Sequence, residues 1–276
     1  CCRTSLGSSR LRRQRQALRD VLDGLYAGAL ADAQARLEHT SIADLERLIE
    51  AQNPSLDAIT LLSPRANVHV LAEIKRASPS RGDLAEIAEP VQLAKTYASA
   101  GASAISVLTE ERKFKGSLAD LQSVRGAVDV PLLRKDFIAN EQQILEARAF
   151  GADIFLLIVA GLDQKTLQRL KSFGEELGMT AFVETHSADE VQRALDVDAR
   201  LLGVNARDLS TFETDRNLFG KLVEMIPANV IKVAESAVRN VEDVRHYRDA
   251  GADVVLVGEA LVTGDASAML RDFLAV

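Results

Sequence analysis

Phe150-Gly151-Ala152-Asp153-Ile154-Phe155-Leu156-Leu157-Ile158 carries the end of one element and the whole of the next. The preceding residues, Glu141 to Ala149, read as a helix. A glycine directly after a helix supplies the left-handed residue that closes it. Five apolar residues then follow without polar alternation, as in a strand buried on both faces. The phrase recurs. Ala100-Gly101-Ala102 precedes an apolar run at Ala104–Leu108, and Ala250-Gly251-Ala252-Asp253 precedes another at Val254–Val257. Further runs fall at Val68–Ile74, Val130–Leu133, Thr180–Val183, Leu201–Val204 and Val230–Ala234. Helical segments lie between them, at Asp163–Leu177 and at Ala188–Leu195, where Ser187 and Glu190 have capping-box spacing. The runs begin about 21 to 36 residues apart, the length of a strand with its crossover helix and loops. Eight such units with no break in the repeat predict an α/β fold, a (β/α)8 barrel, over an open sheet with a switch point.

Composition agrees with that architecture. A chain of 276 residues accommodates eight units in one domain, and 47% hydrophobic with 4% aromatic residues and no Trp predicts an aliphatic core. Forty acidic against 33 basic residues give a net charge of −7, which argues against nucleic acid or a membrane surface as the main partner. No apolar run reaches the roughly 18 residues of a membrane span. The two cysteines are the adjacent Cys1 and Cys2, so the fold should need no disulfide, which suits a reducing cytoplasm.

The first 65 residues read as an N-terminal helical extension and residues 66–276 as the barrel. No initiator Met is present, which suggests trimming or an unusual start. Residues 3–19 hold six arginines, several serines and no acid, the composition of a solvated basic lead-in or an organellar targeting segment; the lead-in is the favoured reading, with the first 16 or so residues candidates for disorder. Leu18, Val21, Leu22 and Leu25 follow at helical spacing, forming a face expected to dock on the main body. A second helix is predicted from Ser41, with Ser41 and Asp44 as a capping box and Ile42, Leu45, Leu48 and Ile49 on one face.

In a (β/α)8 barrel the chemistry sits at the C-terminal ends of the strands. Those positions hold Glu73 and Lys75, then Thr109-Glu110, Lys135-Asp136, Glu184, Asn205 with Arg207, Glu235-Ser236, and Gly258. Glu73 and Lys75 are two apart and so share one side of their strand. Lysines and carboxylates meeting at one mouth make a general acid–base site; a ring of ion pairs closing the barrel is the plainer alternative. No His/Cys/carboxylate set has metal-ligand spacing, so no metal is expected. His186 is the only histidine near a strand end, where a capping or supporting role is expected. Ser236-Ala237 and Val257-Gly258-Glu259-Ala260 lie where many barrels hold a phosphate on loop amides.

The stretch Ala72–Gly82 resembles the signature of indole-3-glycerol phosphate synthase. So do Ser106–Glu111, Phe114–Ser117, Leu133–Ile138, Val183-Glu184, Gly203–Leu209, Ala234–Ser236 and Leu256–Gly258. The resemblance spans about residues 67–274, with the motifs in order. It implies a carboxy-lyase of tryptophan biosynthesis that closes 1-(2-carboxyphenylamino)-1-deoxyribulose 5-phosphate to indole-3-glycerol phosphate with loss of CO2 and water. It implies no cofactor. The matching residues would make Lys135 the general acid at the ketone, with Lys75, Glu73 and Glu184 sharing the second acid and the base. How those duties divide stays open. Asn205 and Glu235 would order the network, and Arg207 with Lys75 would meet the anthranilate carboxylate. Ser78, Phe114 and Phe137 would contact the substrate, although each Phe reads equally well as core. Ser236, Ala237, Gly258 and Glu259 would hold its phosphate. A small phosphorylated molecule is then the partner, with a monomeric chain expected and association with other enzymes of the pathway left open. One departure stands out: the family usually has Gly at the position of Ala237, so a need for positive φ there would modestly raise KM. Two alternatives are a non-catalytic paralogue that binds the same ligand and another phosphosugar barrel such as phosphoribosylanthranilate isomerase, whose Cys–Asp pair has no barrel cysteine here to supply it.

Overall fold

The computed structural model describes residues 21–276 except position 210. The readings made above for residues 1–20, including Leu18, the arginine-rich lead-in and the two cysteines, lie outside the described residues. Eight parallel strands close into a barrel: β1 (His69–Ile74), β2 (Ala104–Leu108), β3 (Leu132–Lys135), β4 (Ile154–Ile158), β5 (Thr180–Thr185), β6 (Leu201–Asn205), β7 (Ile231–Glu235) and β8 (Val254–Val257). Each strand pairs with its sequence neighbours, and β1 closes the ring by pairing with both β2 and β8. Six strands are buried along their whole length, and β3 and β7 each have a single half-buried position, which explains why the sequence shows largely unbroken apolar runs. Crossover helices follow, among them Pro90–Ser99, Leu118–Arg125, Glu141–Ala149, Gln164–Glu176, Ala188–Leu195 and Val241–Asp249.

The repeated glycine phrase works as its sequence suggested. Gly101, Gly151 and Gly251 take φ of 95°, 91° and 100° just after their helices. The aspartate that follows has a further use. Asp153 accepts from Leu132 N at the start of β3 and Asp253 from Lys232 N in β7, each at 2.9 Å, so the same residue that ends one loop pins the start of a neighbouring strand. Strand limits differ slightly from the apolar runs: β3 starts two residues later and ends on Lys135, and β5 continues through Glu184 to Thr185. Charge at those positions hid strand that the backbone ladder continues through.

The chain before the barrel lies against it. Residues 21–36 are helical, and Leu22, Tyr26, Ala29 and Ala33 are buried, a face rotated from the predicted one. Arg36 makes a bidentate pair with Glu146, and Arg112 one with Asp32. The helix Ile42–Ala51 has both bonds of the Ser41/Asp44 capping box. Only Leu45 of its predicted face is fully buried, against Leu145 and Ala149, while Ile42 and Leu48 stand 38% and 37% exposed. The difference arises because this helix meets the barrel mainly through Glu141–Ala149, with Phe150, Phe173 and Leu177 packed against the Leu45 contact. Among the described residues, no helix is long and apolar enough to cross a membrane.

Candidate active site

The C-terminal ends of the strands open into a cavity of about 480 Å³. The residues given catalytic, substrate or phosphate roles line it, namely Glu73, Lys75, Ser78, Phe114, Lys135, Phe137, Glu184, Asn205, Arg207, Glu235, Ser236, Ala237, Gly258 and Glu259, whereas Thr109, Glu110 and His186 lie outside the lining. Strand register brings them to one level, for Glu184 pairs with Gly203, Asn205 with Glu235, and Leu108 with Lys135.

Lys135 stands at the centre. Its Nζ donates to Glu184 Oε2 at 2.7 Å and to Glu235 Oε2 at 3.3 Å. Burial opposes the ammonium charge, but Glu184, Glu235 and Glu73 outweigh it, so the lysine is held cationic well above its ordinary range. The two glutamates are driven apart. Burial would raise Glu184, yet Lys135 and His186 together pull it down to about 2. Glu235 moves well upward, through burial first and then the negative charge of Glu184. Proton affinity falls on one carboxylate and rises on its neighbour, the pattern of a site with divided acid and base duties. Glu235 Oε1 is buried without a hydrogen-bond partner among the described residues.

A polar chain orders Glu184 from the other side. Ser236 Oγ donates to Asn205 Oδ1 at 2.8 Å, and Asn205 Nδ2 donates to Glu184 Oε1 at 3.1 Å. Across the mouth, Lys75 Nζ pairs with Glu73 Oε1 at 2.5 Å. Gly258 makes room for that pair, because a Cβ there would run into the Glu73 carboxylate. Arg207 Nη1 donates to Ser80 Oγ at 3.2 Å and to Phe212 O at 3.1 Å, which holds the guanidinium over the pocket. Phe114 and Phe137 form a tilted pair with centroids 6.2 Å apart.

The sequence reading missed several supports. Glu110 is buried, and its carboxylate accepts from the backbone N–H of Arg112, Lys113 and Phe114, fixing the loop that presents Phe114. Leu25 reaches the cavity wall from the first helix. Tyr26 stacks edge-on to Phe137 with centroids 5.7 Å apart, over Gly161, where a Cβ would strike its ring. Arg81 pairs with Glu259 at 2.9 Å, and both residues line the cavity. The acid after β2 was legible as a charge at a strand end; its role as a loop clamp was not. Ser236 and Ala237 take φ of 69° and 58°, a left-handed turn that meets the condition set for Ala237. Among the described residues, no group of three or more His, Cys, Asp or Glu is placed to hold a metal ion.

Solved structures with a similar fold include an N-acetylmannosamine-6-phosphate 2-epimerase from Clostridium perfringens. It is 14% identical with a TM-score of 0.58, over 77% of this chain and 94% of that one. A thiamine phosphate pyrophosphorylase from Pyrococcus furiosus is 15% identical with a TM-score of 0.56, over 75% and 93%. At such identity these share the fold alone. Sequence relatives are far nearer. An indole-3-glycerol phosphate synthase of Leifsonia xyli subsp. xyli is 60% identical over 254 residues, 92% of this chain and 98% of that protein. The enzyme of the same description from Arthrobacter sp. is 55% identical over 247 residues, 88% of this chain and 91% of that protein. The family profile for indole-3-glycerol phosphate synthase matches residues 22–273, nearly the whole described chain, and on that match the chain belongs to the indole-3-glycerol phosphate synthase family.

Proposed function

We propose that this chain closes 1-(2-carboxyphenylamino)-1-deoxyribulose 5-phosphate to indole-3-glycerol phosphate, with loss of CO2 and water, as a carboxy-lyase of tryptophan biosynthesis. The observation that carries the reading is Lys135 Nζ held between Glu184 and Glu235 at the floor of an aromatic-walled cavity. The ring carbon that bears the carboxylate attacks the ketone carbon, and the ketone oxygen takes up negative charge. The Lys135 ammonium stabilises that charge and delivers its proton once the oxygen has become an alkoxide. The bond to CO2 then breaks, and its electrons restore the aromatic ring. The new hydroxyl leaves as water with a proton from a second acid, while a base removes a proton from the methylene carbon beside the nitrogen, whose C–H electrons complete the double bond of the indole. Glu184, held ionised, suits the base; Lys75, paired to Glu73, suits the second acid.

Arg207 and Lys75 bear the charge to meet the anthranilate carboxylate, and Phe114 and Phe137 the surface for its ring. Ser78 lines the same cavity as a further substrate contact, and Ser236, Ala237, Gly258 and Glu259 line it where loop amides suit a phosphate. Residues 1–65 serve as the extension and 66–276 as the catalytic barrel, because Leu25 lines the site and Tyr26 backs Phe137 while every charged role falls on the barrel. The single chain is taken as the working unit on the same ground, and the cytoplasm as its location from the cysteine distribution.

Continuous indole fluorescence tests the reading. Mixing the chain with the carboxyphenylamino-deoxyribulose phosphate should give a fluorescence rise, lost in Lys135→Ala. No rise with the unmodified chain, together with tight ligand binding by calorimetry, would instead identify a non-catalytic binder.

A further inference from the structure

His186 follows β5 and lies two residues beyond Glu184, on the same side of the backbone. Its ring stands between two carboxylates: Nε2 is 3.4 Å from Glu184 Oε1, and Nδ1 is 3.3 Å from Glu190 Oε2. Glu190 is the third residue of the helix Ala188–Leu195, and Ser187 is its N-cap. An ordinary capping box would return the Glu190 carboxylate to Ser187 N. Here Oε2 accepts from His186 N at 2.8 Å and Oε1 from Ser187 Oγ at 3.2 Å. The carboxylate is displaced by one residue and so comes to rest beside the imidazole.

The other ring nitrogen is unusual. His186 Nε2 is buried and has no hydrogen-bond partner among the described residues, although it faces an oxygen that already accepts from Asn205. His69, a buried histidine on β1, shows what a structural role looks like: Nδ1 is 2.9 Å from Ser103 Oγ and Nε2 is 2.9 Å from Ser63 O. Both of its nitrogens are satisfied. The spare nitrogen of His186 points at the carboxylate assigned to chemistry.

We propose that His186, anchored by Glu190, is a positioning residue that keeps Glu184 ionised and aimed as the proton acceptor of the reaction. This rests on the reading of Glu184 as the base. The charged groups facing His186 are Glu184 on β5, Glu190 on the following helix and Lys135 on β3; Glu184 itself also faces Glu235 on β7 and Tyr26 of the first helix. Burial works against a charge on His186, but Glu190 and Glu184 outweigh it and Lys135 only partly offsets them, so the ring is more basic than a free histidine. An imidazolium beside Oε1 lowers the proton affinity of Glu184. Removing that charge raises it, so Glu184 would be protonated at a higher pH, and the acid limb of the rate profile would move upward.

The test measures kcat and KM against pH for the unmodified chain, His186→Asn, His186→Gln and Glu190→Gln, with a melting curve for each. Asn can still donate towards Glu190 and Gln can still reach Glu184, yet neither carries charge. Both should move the acid limb of kcat up by about half a unit or more. Turnover should fall about ten-fold, with KM within about three-fold of the parent. Glu190→Gln should move the limb the same way by less. An unmoved acid limb in both histidine variants overturns the proposal. Should those variants fail to fold, ring-nitrogen chemical shifts of the unmodified chain decide it: an imidazolium at pH 7 supports the proposal and a neutral ring overturns it. Absence of product from the unmodified chain would be failure of the synthase reading, which these outcomes keep separate.

Discussion

Arg134 and Lys135 are neighbours on β3, and they point to opposite sides of it. Arg134 is completely buried behind the strand, and every branch of its guanidinium is used. Nε donates to Thr109 Oγ1 at 3.1 Å, Nη1 to Gln143 O at 2.5 Å and Glu146 Oε2 at 3.2 Å, and Nη2 to Asp136 Oδ2 at 2.9 Å. Glu146 in turn takes Arg36 of the first helix, so this cluster joins strand, crossover helix and extension. Lys135, on the cavity side, has two carboxylates for one ammonium, and Glu235 Oε1 has no hydrogen-bond partner among the described residues. Both are ion clusters with almost no exposure. Saturation is what separates them. A cluster whose donors and acceptors balance holds the fold together, whereas one with capacity to spare is waiting for atoms that are not part of the chain.

The sharpest way to break this comparison is to remove each cation in turn. Lys135→Ala should lower turnover by about a thousand-fold or more while ligand affinity by calorimetry stays within about ten-fold. Activity within a few-fold of the parent would move the acid elsewhere. Arg134→Met should act on the fold, costing about 3–5 kcal/mol in denaturant unfolding, because Asp136 and Glu146 would be left buried without their cation. A cost below about 1 kcal/mol would mean that Arg36 and the backbone suffice to satisfy them.

Smaller changes sharpen the contrast. Glu235 has its proton affinity raised in the folded state above the ordinary 4.5, so folding takes up a proton, and stability from this group declines as pH rises above 4.5 towards the folded value. Glu235→Gln removes the burden. It should stabilise the chain by about 1 kcal/mol at neutral pH, flatten the decline of stability as pH rises above 4.5, and lower kcat. A loss of stability at neutral pH would show that the glutamate is needed for packing. Ala237→Gly should have the least effect. Its φ of 58° strains a residue with a Cβ, and relief is offset by the greater freedom of Gly in the unfolded chain. KM should fall about two- to three-fold with the melting temperature nearly unchanged; an unaltered KM would show that the methyl group does not impede the substrate.

Much of the site was legible because barrel chemistry collects at strand ends and the strands announce themselves as apolar runs. Glu73, Lys75, Lys135, Glu184, Asn205 and Glu235 could be named from position alone, and the structure brings them to one cavity. The supports were not legible. Glu110 looks like another charge at a strand end, and only the folded loop shows three backbone N–H groups converging on it. Tyr26 was passed over in favour of the Leu18/Leu22/Leu25 face, because helical spacing cannot tell which stripe meets Phe137 and Gly161.

The sequence by itself determined the repeat of eight strands and crossovers, the glycine that ends three of the helices, and which charges lie at the functional end. These are local facts, set by period, capping and chain order. Tertiary structure alone decided which of those charges shift one another's proton affinity, which are saturated and which are not, and why Gly258 must lack a Cβ. Those depend on distances of a few ångströms between strands far apart in sequence, where closure of the barrel sets burial and neighbouring charge together.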